Sequence, residues 1–134
     1  MKKYSITLSS HIPSNTKIDV YELCKNGKSV FEEFFEQIEG EGNLISNLAA
    51  AIRIIEDSAN LKMVPKSKFR VLQGLSVKCK VFEAKSGNIR IYMFHEEKTG
   101  RVIVMGGKKD SQDEDIKRLE RMIKEYHKQK DNEK

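Results

Sequence analysis

The chain has 134 residues, of which 38% are hydrophobic and 34% charged, and its formal net charge is +5. A chain of this length folds as one domain around one core, and we expect a single domain over residues 1–134. The longest apolar run, Leu48 to Ile55, is too short to cross a bilayer, and no apolar signal region follows the basic N-terminus. We therefore expect a cytoplasmic protein without a membrane partner.

Charge is distributed unevenly along the chain. Residues 18–61 hold three Lys/Arg and nine Asp/Glu, whereas residues 62–109 hold twelve Lys/Arg and three Glu. This segregation indicates an acidic face and a basic face, and a basic face attracts polyanions. Nucleic acid is the polyanion we expect, and a charged surface that only contacts solvent is the alternative.

Two strands are predicted at the start of the chain. Residues 4–8 alternate in polarity and carry β-formers, and residues 18–23 alternate again. Asn26-Gly27 then breaks the pattern, as turn residues do.

Two helices are predicted next. Ser29 is placed to cap the first, with Glu32 as its capping-box partner, and apolar residues at helical spacing continue to residue 38. Asn43 is placed to cap the second, whose apolar residues recur every three and four positions to residue 58. Because a short glycine-containing link joins them, we expect an αα-hairpin.

A sheet and a last helix are predicted from the second half. Strands are expected at residues 69–72, 77–83, 89–94 and 101–105, the first two being either separate or one strand interrupted at Gly74. The links are too short for parallel crossovers, so the sheet is expected to be antiparallel.

A capped helix closes the predicted fold. Ser111 with Glu114 forms a second capping-box pattern before this amphipathic helix, and the polar residues 127–134 are expected to fray. The sequence thus predicts an α+β fold. Its N-terminal strands and helical hairpin pack on a four-to-five-stranded antiparallel sheet, with a C-terminal helix.

Cations are predicted to share one exposed sheet face. In strand 89–94 the residues alternate, so that if Ile89 and Ile91 meet the helices, Arg90 and Tyr92 stand on the opposite face. The preceding strand would add Lys78 and Lys80 to that face, and His95 at the strand end would reach it. On such a face the cations bind the RNA backbone and the aromatic ring stacks on a base. The alternative is a solvated face with an ordinary arginine.

The segment Gly106-Gly107-Lys108-Lys109 joins the last strand to the last helix. Its glycines permit close approach of a ligand and its lysines add positive charge, but its spacing is not that of a P-loop. Glu83 is the only acid between Leu61 and Glu96, so we expect it to form a salt bridge with a nearby cation.

Metal and cofactor sites are not predicted. His11, His95 and His127 have no metal-binding spacing, and Cys24 and Cys79, each in a predicted strand, lack a Cys-x-x-Cys partner. We expect two reduced thiols, no metal and no cofactor.

The order of these motifs resembles the RelE/ParE toxin superfamily, most closely its HigB-like, phage-derived branch. The resemblance covers residues 18–126. It rests on Glu83 with Lys85, the strand Gly87-Asn88-Ile89-Arg90-Ile91-Tyr92, the segment Gly107-Lys108-Lys109-Asp110-Ser111-Gln112, and the helix ending in Glu125-Tyr126. It implies a RelE-like fold to which residues 1–15, with their strand, are an addition.

The resemblance implies the toxin of a type II toxin–antitoxin pair. RelE-like and HigB-like toxins are ribosome-dependent endonucleases that cut messenger RNA without a metal, through attack of the RNA's own 2′-hydroxyl on the adjacent phosphate. The partners of this chain would be the ribosome, messenger RNA and an adjacently encoded antitoxin of the helix-turn-helix type. The implied catalytic residues are Arg90, Lys108 and Lys109. The residues expected to contact RNA are Lys78, Lys80, Lys85, Tyr92, His95 and Gly107.

The chain departs from the pattern of RelE itself. Two strand lysines of RelE align with Val81 and Glu83, its arginine after the last strand with Ser111, and its late tyrosine with Asp115. General acid and base therefore have no counterpart here. A non-enzymatic, ParE-like or phage-derived inhibitor of a host target such as gyrase is the alternative function, and a structural RNA-binding domain is a third.

Overall fold

The computed structural model describes residues 3–132. The strands are β1 Tyr4–Leu8, β2 Val20–Lys25, β3 Lys28–Ser29, β4 Phe69–Val71, β5 Val81–Ser86, β6 Ile89–Glu96 and β7 Gly100–Lys108. The helices are α1 Val30–Ile38, α2 Gly42–Ala59 and α3 Gln112–Asn132, the last preceded by one 3-10 turn, Lys109–Ser111. The α+β class and the helical hairpin are thus as predicted, and none of these helices is long and apolar enough to span a membrane.

The sheet is mixed, and the prediction of an antiparallel sheet is wrong for one pair of strands. The order is β1-β2-β7-β6-β5-β4, with β3 paired to β2 in a short hairpin. All pairs are antiparallel except β2 and β7, where Val20 lies opposite Arg101. Short links force antiparallel pairing only on consecutive strands. Because β2 and β7 are far apart in sequence, link lengths carry no information about their direction.

Helices cover both faces of the central strands. Helices α1 and α2 pack on one face, where Ile89, Ile91 and Met93 point. Helix α3 packs on the other, against Tyr92 and Phe94. The side chains of α3 that fill this second core are Leu119, Met122, Ile123 and Tyr126. The predicted exposed sheet face is therefore a buried core, because the apolar stripe of α3 covers it.

A β-bulge in β7 brings two adjacent glycines between the helix layers. Tyr92 pairs with Met105 and Met93 with Ile103, which leaves Val104 as an extra residue. Beyond the bulge, a Cβ on Gly106 would lie 2.3 Å from the ring of Phe34 in α1, and one on Gly107 would lie 2.1 Å from a carboxylate oxygen of Asp115 in α3. The end of β7 is therefore tightly enclosed on both sides.

The predicted turn and the first helix cap are confirmed. Asn26 and Gly27 have φ values of 54° and 84°, the left-handed pair that suits a two-residue hairpin. The Ser29 hydroxyl accepts a hydrogen bond, 3.2 Å long, from the backbone N–H of Glu32. Local chemistry of this kind is readable from sequence because all of its partners lie within a few residues.

The other two predicted caps are wrong. Helix α2 begins at Gly42, so that Glu41 rather than Asn43 occupies the cap position. The Ser111 hydroxyl donates to the carbonyl of Lys108 and to Asp115, at 3.2 and 2.7 Å, so it does not cap α3.

The polar end of α3 is anchored rather than frayed. The helix runs to Asn132, and residues 133–134 of the predicted frayed tail lie outside the described residues. The side-chain amide of Gln129 donates to the Tyr4 carbonyl at 2.7 Å and accepts from the Tyr4 N–H at 2.8 Å. Lys130 pairs with Glu96 at 2.5 Å. These polar side chains have distant partners on β1 and β6, which composition alone does not indicate.

Candidate functional site

The register of β5, β6 and β7 brings five predicted site residues to one end of the sheet. Lys85 lies opposite Arg90, and Arg90 lies opposite Gly107. Lys108 ends β7, and the N–H of Lys109 donates to the Asn88 carbonyl at 2.7 Å. We call the five residues the sheet-end cluster: Lys85, Arg90, Gly107, Lys108 and Lys109.

Arg90 is buried, contrary to the prediction that its side chain stands on an exposed face. It is 8% exposed, and Nη1 donates to the carbonyls of Gly87 and Ile89 at 2.8 and 3.0 Å. Its Nε has no hydrogen-bond partner among the described residues. The guanidinium therefore folds back over the β5–β6 turn, and its Nε is buried.

Lys85 and Arg90 are like charges on directly paired positions. Such a cross-strand pair is destabilising unless something compensates the charge. Their backbones are register partners at the sheet end, and Lys85 is half-buried. A bound anion would relieve this repulsion.

A basic cleft of about 560 Å³ adjoins Arg90 between α2 and the β5–β6 turn. Its charged lining residues are Arg53, Asp57, Lys68, Lys85 and Arg90. The one acid, Asp57, lies 3.6 Å from the amine of Lys62. The cleft is therefore positively charged and suits a phosphodiester. In the sequence, Arg53 interrupts the apolar run of α2, but no sequence pattern indicates that it lies beside Arg90.

Glu83 forms the predicted salt bridge. It is fully buried, and its carboxylate accepts from Nε of Arg70 at 3.0 Å and from the side-chain amide of Gln112 at 2.5 Å. Glu83 therefore links β4, β5 and the start of α3. Its burial indicates a structural role.

Tyr92 is buried and does not offer a stacking surface. It is fully buried under α3, and its hydroxyl has no hydrogen-bond partner among the described residues. Burial, with the nearby carboxylates of Glu83 and Asp115, raises the pKa of Tyr92. The prediction that it stacks an RNA base is wrong for this conformation, because α3 occupies that face.

The remaining predicted contacts lie in a second groove, of about 980 Å³, which we call the distal groove. Lys78 and Lys80 are exposed but belong to an irregular segment before β5, so their predicted strand position is wrong. They line the groove with His95, five residues from Arg90 along β6, or about 16 Å at strand spacing. Helix α3 adds Lys124 and Lys128, whose i, i+4 spacing marks one helix face.

Two positions where the chain departs from the RelE pattern adjoin the sheet-end cluster. The Asp115 carboxylate lies against Gly107 and is half-buried. The Ser111 hydroxyl donates to one of its oxygens, Oδ2. A carboxylate with one oxygen oriented by a hydroxyl therefore lies close to the phosphate-binding candidates.

The chain was compared with protein-family models, with curated proteins and with solved structures, and none of the three comparisons finds a significant match. The candidate site is therefore defined by its own geometry: five residues of one sheet end, a basic cleft beside Arg90, and a separate groove at the other end of β6 whose lining holds four lysines and three acids. This arrangement is chemically suited to a polyanion.

Proposed function

We propose that this protein is the toxin of a type II toxin–antitoxin pair and that it binds messenger RNA on the ribosome through the sheet-end cluster. The observation that carries the proposal is the strand register, which gathers Lys85, Arg90, Lys108 and Lys109 beside a basic cleft. Clustered cations supply most of the affinity of a protein for a phosphodiester backbone. The motif resemblance supplies the ribosome and the antitoxin as partners.

The proposed reaction is RNA cleavage without a metal. The RNA 2′-hydroxyl attacks the adjacent phosphorus, the bond to the 5′-oxygen breaks, and a 2′,3′-cyclic phosphate forms. Asp115, beside Gly107, takes the hydroxyl proton as general base. Arg90, which lines the basic cleft, stabilises the charge on the phosphate, and a lysine of the Lys108-Lys109 pair protonates the leaving oxygen.

The distal groove lies away from the reacting phosphate, and its lining holds four lysines and three acids. Lys78, Lys80 and His95 line it, and the lysines are exposed. Exposed lysines hold phosphates as point charges without reading sequence. We assign this groove to the backbone of ribosomal RNA or of the message outside the cleavage site.

One observation favours the non-enzymatic alternative. The two positions that align with strand lysines of RelE hold Val81 and Glu83, and both are buried in this fold. No cation can act from there. A protein of this kind would arrest growth by binding a host target and would leave messages intact.

Induced expression with primer-extension mapping of messages separates the two functions. The wild type is expected to arrest growth and to produce cleaved messages. Asp115→Asn is expected to lose cleavage, whereas Arg118→Ala, an exposed cation on α3, serves as the control and keeps it. Arrest without cleavage supports the inhibitor instead. Normal growth at high soluble expression in several hosts overturns both.

A further inference from the structure

Three potential metal ligands meet outside the candidate site, at the junction of the N-terminal segment with β2 and α1. They are His11 in the loop after β1, Glu22 on β2 and Glu32 in the first turn of α1. One ligand atom from each lies within 4.8 Å of the other two, and His11 Nε2 contacts the Glu32 carboxylate directly. No spacing in the sequence indicates this group, because its members come from three separate elements.

Glu22 is buried without a basic partner. It is 2% exposed, and its two oxygens accept hydrogen bonds from the hydroxyls of Ser9 and Ser29, each 2.6 Å long. Among residues 3–132, no lysine or arginine forms an ion pair with it. Burying a charge is costly unless it is paired or binds a metal. With Glu32 nearby, the junction places two carboxylates beside one imidazole.

The side chains are already oriented as ligands. The His11 ring stacks on Phe35 with centroids 5.0 Å apart, and it meets the edge of Phe31 at 5.5 Å. These contacts fix the ring and direct Nε2 to the carboxylates. The hydroxyls of Ser9 and Ser29 hold the Glu22 carboxylate in place, as outer partners do for metal ligands.

We propose that His11, Glu22 and Glu32 bind one divalent transition-metal ion, and that zinc is the ion that fits best. Zinc accepts imidazole and carboxylate ligands and completes a tetrahedral site with water. Ligand atoms about 2.1 Å from tetrahedral zinc lie about 3.4 Å apart, which is inside the 4.8 Å spread of this group. Magnesium and calcium prefer sets of six or more oxygens and fit less well.

The bound ion would fasten the N-terminal segment to the body of the fold. His11 belongs to the loop between β1 and β2, whereas Glu32 belongs to α1. An ion that bridges them replaces the direct His11–Glu32 contact and neutralises the buried charge of Glu22. This role is structural and does not depend on the function proposed for the sheet-end cluster.

Zinc binding to the tag-free full chain, stripped with a chelator, tests the proposal. Calorimetry with zinc chloride is expected to show one site per chain, and zinc is expected to raise the Tm where magnesium chloride does not. His11→Gln and Glu32→Gln change half-buried residues, so they are expected to fold. Each should weaken zinc binding at least about tenfold. His127→Gln is the matched control, and it should bind as the wild type does.

Either of two zinc-binding results would overturn the proposal. The first is a wild-type protein that neither binds zinc nor gains thermal stability from it. The second is zinc affinity unchanged in both His11→Gln and Glu32→Gln, because binding would then lie elsewhere on the surface. Cobalt substitution gives an independent readout. A visible spectrum of tetrahedral cobalt that His11→Gln abolishes supports the site, and an octahedral spectrum in the wild type contradicts it.

Discussion

Glu83 is fully buried, yet the Arg70 side chain that pairs with it at 3.0 Å is 46% exposed. Arg70→Ala would leave the carboxylate buried with only Gln112 as a partner. We expect a loss of about 3 kcal/mol in the free energy of unfolding, measured by urea denaturation, because removal of Arg70 leaves the buried Glu83 charge without its ion-pair partner. Ordinary exposed ion pairs contribute at most about 1 kcal/mol.

A second variant and a control isolate this effect. The double variant Arg70→Ala/Glu83→Gln removes the charge as well, so it should be more stable than Arg70→Ala alone. Lys28→Ala breaks the exposed Lys28–Glu36 pair and should change stability by less than about 1 kcal/mol. Equal losses in Arg70→Ala and Lys28→Ala would contradict a buried role for the pair.

The adjacent glycines of β7 are expected to respond differently to alanine. Gly106→Ala would push a methyl group into the Phe34 ring of the packed core, at a cost of about 1–3 kcal/mol. Gly107→Ala meets the Asp115 side chain, which can rotate away if it gives up its hydrogen bond from Ser111, so the variant should stay within about 1 kcal/mol of wild type. Urea denaturation of both variants checks the order. A larger loss in Gly107→Ala would show that Asp115 is held rigidly.

Removal of the end of α3 is expected to destabilise the protein. Deleting residues 128–134 removes both Gln129 hydrogen bonds to Tyr4 and the Lys130 pair with Glu96. Two net hydrogen bonds contribute about 2 kcal/mol, and thermal or urea unfolding measures the loss. Lys128→Ala, within the same segment, should leave stability unchanged. A truncated chain as stable as the full one would refute the anchoring role.

Glu96 should make stability depend on pH. Burial alone would raise the pKa of Glu96, but hydrogen bonds from Lys130, Tyr126 and Thr99 outweigh it and lower the pKa below 4.5. Because the pKa of Glu96 is lower in the folded than in the unfolded state, the ionised group stabilises the fold at pH values above its unfolded-state pKa. That stabilisation is lost as the pH falls through the folded-state pKa. Glu96→Gln should therefore be less stable than wild type at pH 7, with the gap closing below about pH 4. A gap that is constant with pH would rule out this linkage.

Lys108 and Lys109 are expected to set part of the salt dependence of RNA binding. Each phosphate contact contributes about −0.7 to the log–log slope for single strands, so changing both to alanine should flatten the slope by up to about 1.4. Fluorescence titration of an unstructured RNA at several salt concentrations measures it. Lys117→Ala/Arg118→Ala loses the same charge from exposed positions on α3 and is the control. An unchanged slope, with the fold intact by circular dichroism, would show that neither Lys108 nor Lys109 contacts the RNA.

Sequence predicted the elements better than their arrangement. The Asn26-Gly27 turn and the Ser29 cap depend on neighbours in the chain, and both are found as expected. The alternation in β6 was also identified, since Ile89 and Ile91 do face the helical hairpin. The alternation does not show where α3 lies. Helix α3 covers the opposite face of β6, so Tyr92 on that face is buried in the core.

The sequence predicted only those parts of the candidate site that lie on strands consecutive in the chain. The β5–β6 and β6–β7 hairpins fix Lys85, Arg90 and Gly107 at one end, and short links made those hairpins evident. The distal groove depends on the packing of α3 across the sheet, and the junction of His11 with Glu22 depends on the path of the N-terminal loop. Neither of these contacts produces a periodic pattern in the sequence.

The parallel pairing of β2 with β7 has a consequence for how the chain folds during synthesis. Val20 meets Arg101, a residue made 81 positions later. At about 5–20 residues per second, the ribosome takes about 4–16 s to make the intervening chain. During that interval β2 pairs only with β1 and β3, and the edge that β3 shares stays open at residues 20–22. The nascent chain therefore has an unpaired strand edge until its last strand emerges, and Lys108 and Lys109 join Lys85 and Arg90 only then.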